Sequence, residues 1–418
     1  MSAGLLWPAG GPPLRTGAIL VDAVGRIEAV GPDAAVPRPP DARLDHYPNA
    51  VLLPGLVNVH THLELTHLRG RVPETDFFAW IQQVRRCKEA FTPGAYLDAA
   101  VAGVQEAWRN GITCVGDTGT SRAGALAMAR LGGRGVAYQE AIAPRPEDAR
   151  DAFSRLLATV DDLRAQMTPE VTIGVSPHAP YTVSHDLYQL IAAHVRVERL
   201  PVAAHIAESA AESAFVVAGT GPFAELWRAR GIALRPAYPS PVALLERMGL
   251  LQTGFLAIHA VRVDAADLTR LRRAGCAVAA CPRSNARHGH GEAPVARYLE
   301  AGLPVGLGTD SVASVGDLDL LAEARLAMRL AGLSPDEALR LATVGGAAAL
   351  GLDQDIGTLA LGKWADLCVI PVDPAVGRDP GSAARAVLES GGAAVLATYV
   401  AGRRVYRADT AISLDPSP

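Results

Sequence analysis

Short apolar runs recur through the middle of the chain, at 55–60 (GLVNVH), 111–117 (GITCVGD), 135–142 (GVAYQEAI), 171–178 (VTIGVSPH), 201–208 (PVAAHIAE), 255–261 (FLAIHAV), 276–282 (CAVAACP) and 304–310 (PVGLGTD). Between most of them lie longer stretches of Ala, Leu, Arg and Glu whose apolar positions repeat at helical spacing, such as 95–110 and 323–332. Eight strand candidates alternating with helix candidates predict an α/β fold, a (β/α)8 TIM barrel. A doubly wound sheet is the competing architecture, but no glycine-rich phosphate turn follows the first strand. The barrel is favoured.

The ends of the chain follow another pattern. Residues 17–31 predict two short strands joined by a turn at Gly25, and 357–370 and 395–406 repeat short β-rich runs between turn residues. Both ends together predict one small β domain, built from 1–54 and 355–418, around a barrel at 55–354.

Composition narrows the partners. The chain has 418 residues, 49% hydrophobic and 20% charged, with a formal net charge of −4. That charge gives no electrostatic case for nucleic acid or an anionic membrane, so a small molecule is the expected partner. The N-terminus lacks a basic segment followed by an uninterrupted apolar one, and no apolar run of about 18 residues occurs, so neither a secretory signal nor a membrane span is expected. Five cysteines, odd in number and without a C-x-x-C pair, fit reduced thiols in a cytoplasm. Lysine is confined to Lys88 and Lys363.

In a barrel, chemistry gathers where strands end at the C-terminal face. The first candidate strand ends on His60 and His62, the fourth on His178, the fifth on His205 followed by Glu208, the sixth on His259 and the eighth on Asp310. Residues i and i+2 of a strand point the same way, so His60 and His62 aim two imidazoles into one mouth. His205 completes a three-imidazole set, and Asp310 adds a carboxylate. Such a set suits one divalent metal, zinc first, with iron or manganese also accepted. An H-x-H pair by itself is more often surface or core histidine; the further groups at other strand ends change that balance. Glu208 is the candidate proton shuttle, against the bland reading of a first-turn helix carboxylate. His259 is placed to stabilise negative charge that develops on oxygen in the transition state. Cys281, His46 and His194 read as structural.

The motifs PGLVNVHTH, SPHAPYTVS, HIAES, AIHAV and GLGTDS resemble, in order and spacing, those of the amidohydrolase superfamily, in its cytosine-deaminase-like (ATZ/TRZ) branch. The resemblance runs from the N-terminal β segment through GTLALGKWADLCVI. It implies a distorted barrel with a small β-sandwich made from both termini, and metal ligands at His60, His62, His205 and Asp310, the last also orienting the attacking water. Many relatives bridge two metals with a carboxylated lysine at the end of the fourth strand. Here that strand ends SPHAP with neither lysine nearby, which implies one metal.

Trp80, Glu89, His178 and Ser314 lie at spacings that, by the same resemblance, belong to pocket residues of nucleoside deaminases; Trp80 reads nearly as well as a core aromatic. Arginine is missing from YQEA (138–141), where homocysteine-binding members carry it. The crowded segment CPRSNARHGHGEAP (281–294) looks like that of the aminodeoxyfutalosine deaminases of an alternative menaquinone route. Their substrate carries a benzoate, for which Arg283 or Arg287 is the candidate partner, against a solvated loop. The alternatives are a deaminase of adenosine, S-adenosylhomocysteine, guanine or a pterin, or a cyclic amide hydrolase. A homodimer is expected only by analogy with other barrels of this size.

Overall fold

The computed structural model describes residues 1–373, 376 and 382–409; the end of the expected C-terminal segment, 410–418, lies outside them. The chain opens with β1 (Ser2–Leu6), β2 (Leu14–Val21), β3 (Ile27–Pro32) and β4 (His46–Pro54). Eight strands follow, one for each apolar run: β5 (Leu56–Thr61), β6 (Ile112–Gly119), β7 (Arg134–Ala141), β8 (Val171–Pro177), β9 (Val202–Ile206), β10 (Phe255–His259), β11 (Ala277–Ala280) and β12 (Val305–Leu307). The chain then returns to the first sheet with β13 (Leu367–Pro371), β14 (Ala397–Val400) and β15 (Arg403–Arg407).

β5 to β12 pair in sequence order, parallel throughout. Only Glu140 and Thr172 of their residues are not buried, because helices such as Pro93–Arg109 and Leu320–Ala331 cover the outer face. Val57, Val59, Cys114, Val136, Tyr138, Ala203, Leu256, Ile258, Ala277 and Ala279 pack together inside, with Ala347, Leu350 and Ile356 against them. The ring is distorted. β8 and β9 share one ladder pair, Val175 with Val202, and the first and last strands meet through a bridge between Thr61 and Asp310, where Asp310 N–H donates to His60 O at 3.0 Å.

The small β domain is one mixed seven-stranded sheet in the order β15-β14-β13-β4-β1-β2-β3, so both chain ends share it. Of the expected β-rich run at 357–370, the strand is β13; the residues before it form turns. Sheet and barrel are pinned by Arg134, at the start of β7, whose Nε donates to Asp366 Oδ2 at 2.8 Å with both groups buried. Removing one partner strands the other charge in a dry site. Asp366→Ala is expected to lower stability by roughly 3–5 kcal/mol, read from the denaturant midpoint. A midpoint equal to the parent's would show that the pair carries no stability.

Candidate metal centre and active site

At the C-terminal ends of the strands the imidazoles converge. Ring centroids of His60 lie 4.8 Å from His62, 5.0 Å from His205 and 5.7 Å from His259. Val57 and Val59 face the barrel interior, so strict alternation would send residue 61 there rather than 60. The register shift between Asn58 and Thr61 resets the phase and brings His60 and His62 to the mouth. Four residues at or just past strand ends, Ala207, His259, Ala260 and Asp310, have φ between 49° and 69°. These left-handed backbones turn each chain segment sharply as it leaves its strand, a strain kept where geometry matters.

The protons on these rings are set by their outer neighbours. His62 Nδ1–H donates to Thr118 O at 2.8 Å and His205 Nδ1–H to His178 O at 3.2 Å, which leaves each Nε2 as a bare lone pair. His60 Nε2 is buried without a hydrogen-bond partner. It lies 3.5 Å from Asp310 Oδ1, and His62 Nε2 lies 3.4 Å from the same oxygen. Burial lowers His60 to about 4 and takes His205 well below its usual range, so both rings are neutral at pH 7. Burial would raise Asp310, but the imidazoles of His60, His62 and His259 around it outweigh that and hold it well below the usual carboxylate range. Ser284 Oγ–H donates to its Oδ2 at 2.6 Å and Ser311 N–H to its Oδ1 at 2.7 Å. Bare imidazole nitrogens facing an oriented carboxylate, with no proton between them, fit a divalent cation. His60, His62 and Asp310 form one set of donors close enough to hold it, and His60 and His205 share a second set with His259.

Glu208 sits beside this set, buried, with Oε1 3.4 Å from His259 Nε2 and 3.2 Å from His290 Nε2. Burial alone would raise its pKa; the His259 and His290 imidazoles beside it outweigh that and bring it to about 2. Its backbone N–H and that of Ala207 donate to the two oxygens of buried Glu212 at 2.7 and 2.8 Å, which fixes the turn that carries it. Sequence reasoning did not single out His290 as a site residue; the only signal was the crowding of basic residues over 281–294.

A cavity of about 490 Å³ opens from His62, His205, Glu208, His259 and Asp310. Trp80, Glu89 and His178 line it. The side chains of Trp80 and Glu140 line it, with Trp80 Nε1 and Glu140 Oε1 buried and without partners. Tyr181 and Phe223 stack at 3.9 Å in the wall. Glu89, exposed at the rim, pairs with Arg85 at 3.1 Å.

Three expected contacts need correction. Arg283 is outside the cavity lining, taken up by Asp317 at 2.7 Å, Val315 O at 3.0 Å and Glu323. Arg287 is also outside it, exposed, and donates to Pro73 O at 3.2 Å. Ser314 lies behind Asp310, 3.4 Å from its Oδ2 and 3.2 Å from His288 Nε2. The cations that do line the cavity are Arg85, Lys88 and Arg230. Lys88, far from the fourth strand in sequence, reaches the wall through space. Its ammonium is occupied by Glu64 at 2.5 Å and Thr120 at 2.7 Å.

Residues 51–405 match the model of the amidohydrolase family. The chain belongs to that family. As an amidohydrolase it is a hydrolase of carbon–nitrogen bonds in cyclic amidines. An aminodeoxyfutalosine deaminase of Deinococcus radiodurans is 33% identical over 362 residues, 81% of this amidohydrolase and 84% of the relative. A 5-methylthioadenosine/S-adenosylhomocysteine deaminase of Natronomonas pharaonis is 31% identical over 379 residues, 86% and 81% of the two chains. The crystal structure of an adenosine deaminase from Xanthomonas campestris with bound zinc superposes with a TM-score of 0.82 at 28% identity, covering 96% of this chain and 91% of its own. Among the described residues no helix is long and apolar enough to cross a membrane.

Proposed function

We propose that this amidohydrolase is a mononuclear zinc-dependent deaminase of adenine nucleosides, which replaces the 6-amino group by oxygen from water and releases ammonia. The observation that carries the reading is the set of bare imidazole nitrogens and Asp310 with a buried, ionised Glu208 next to it on the cavity wall. His60, His62, His205 and Asp310 would hold the ion. Bound there, a divalent ion lowers the pKa of water from about 15.7 toward 7.

The chain's own groups do the rest. Glu208 takes a proton from the attacking water and returns it to the substrate, so that ammonia leaves as the carbon–oxygen bond forms. His259, once its Nε2 has taken a proton from the attacking water, hydrogen-bonds the oxygen on which charge develops. Tyr181, Phe223 and Trp80 supply an apolar wall for the purine. His178 and Glu89 contact the same ligand, Glu89 at the rim where ribose hydroxyls emerge.

Aminodeoxyfutalosine is the substrate we favour, which would place the reaction in menaquinone biosynthesis. The relative of that name supports it, as does Arg230 on the wall, where a carboxylate-bearing tail would lie. The relative that acts on 5-methylthioadenosine and S-adenosylhomocysteine favours thioether nucleosides as a second reading. The test is ammonia release from aminodeoxyfutalosine, adenosine, 5-methylthioadenosine, S-adenosylhomocysteine and guanine. Highest kcat/KM is expected for the first, and a preference for the thioether nucleosides selects the second reading. Arg230→Ala is expected to raise KM for aminodeoxyfutalosine about tenfold, the loss of one charge-assisted contact, with adenosine unaffected. Equal effects on both substrates would remove Arg230 from tail recognition.

A further inference from the structure

Glu208 presents one oxygen to two imidazoles. Oε1 lies 3.4 Å from His259 Nε2 and 3.2 Å from His290 Nε2, and all three side chains are buried. For both rings Oε1 is the nearer of the two carboxylate oxygens.

The two rings are not equivalent. Asn285 Oδ1 faces His259 Nδ1 at 3.0 Å, and an amide oxygen only accepts, so the His259 proton sits on Nδ1. Its Nε2 then carries a lone pair, and a neutral His259 has no hydrogen to give an ionised carboxylate. His290 Nδ1 meets no such acceptor among the described residues, and its Nε2 is buried without a settled hydrogen bond, with Oε1 3.2 Å away, so a proton carried on Nε2 has that oxygen within reach. Its ring is steadied by Phe77, edge-on at 4.5 Å between centroids, and by His288 at 5.6 Å. It reaches Glu208 from the segment after the helix Pro282–Arg287, while His259 comes from the end of β10.

We propose that His290 is a positioning residue of the deamination: its Nε2–H donates to Glu208 Oε1, anchors that oxygen, and leaves Oε2 to face the ligand and His259 Nε2 to receive a proton. The proposal deepens the reading of Glu208 as proton shuttle and rests on it. His290 touches neither the metal ligands nor the reacting atoms; it acts through where Glu208 points.

The experiment compares His290→Ala and His290→Gln in the full-length, metal-loaded enzyme, because the glutamine amide puts an N–H at a similar reach. His290→Ala is expected to lower kcat about 10- to 100-fold, the loss of one hydrogen bond to a charged group. KM should stay within about threefold and metal content at the parent value, with His290→Gln recovering most of the rate. In the unsubstituted protein, 15N NMR of labelled histidines should show His290 as the Nε2–H tautomer and His259 as the Nδ1–H tautomer. This reading survives if His290→Ala fails to fold. Parent kcat in His290→Ala overturns the proposal, as does an Nδ1–H tautomer at His290, or a glutamine variant that is as slow as alanine and has lost metal. Full activity of Glu208→Gln is a different failure: it removes the shuttle itself.

Discussion

Glu208→Gln is expected to keep its metal and its affinity for 6-aminopurine nucleosides while ammonia release falls roughly 10²–10⁴-fold, the range that general acid–base groups contribute. The substitution preserves volume and leaves Glu212 holding the turn through backbone N–H groups, so the cavity keeps its shape. What it removes is proton uptake. Burial favours a neutral carboxyl at this position, yet the His259 and His290 imidazoles bring Glu208 to about 2, so it is ionised throughout the neutral range. Elemental analysis beside steady-state kinetics separates loss of the shuttle from loss of the site. Parent turnover in a variant with a full complement of metal would falsify the mechanism.

Stripping the metal is the second large perturbation. Chelation is expected to reduce ammonia release to background and to lower the melting temperature, both restored by stoichiometric zinc. An ion at a thousandfold excess over its Kd stabilises the fold by about 4 kcal/mol. Without it, His60 Nε2 stays buried and unpartnered against neighbouring rings. Because burial lowers His60 to about 4 and His205 further, protons compete with the metal only as the pH falls toward that value, and reloading should proceed down to about pH 5. Equilibrium dialysis with elemental analysis checks the pH range, and calorimetry checks the stability. Full turnover by protein free of transition metal would end the assignment.

The eight strands were legible because a parallel strand covered on both faces must be apolar along its length, and the ionisable groups stood out where those runs stop. The spacing of His60 and His62 told that both rings share a side, but not which side. That choice rests on a register shift against β6 and on Asp310, neither of which is local. The arginines of 281–294 mislead for the same reason: what occupies Arg283 is Asp317 and Glu323, 34 and 40 residues downstream. Lys88 is remote from the fourth strand in sequence and near its end in space. His290 acquires meaning only once the loop after β11 is folded against the end of β9.

The seam of the barrel lies at the candidate metal centre. Thr61 and Asp310 are 249 residues apart, and the bridge they form is where the ring shuts. An ion shared by His60, His62 and Asp310 would therefore rivet the first blade of the barrel to the last. A chain emerging from the ribosome cannot assemble that grip until its eighth strand is made, so metal capture would report the completion of the ring.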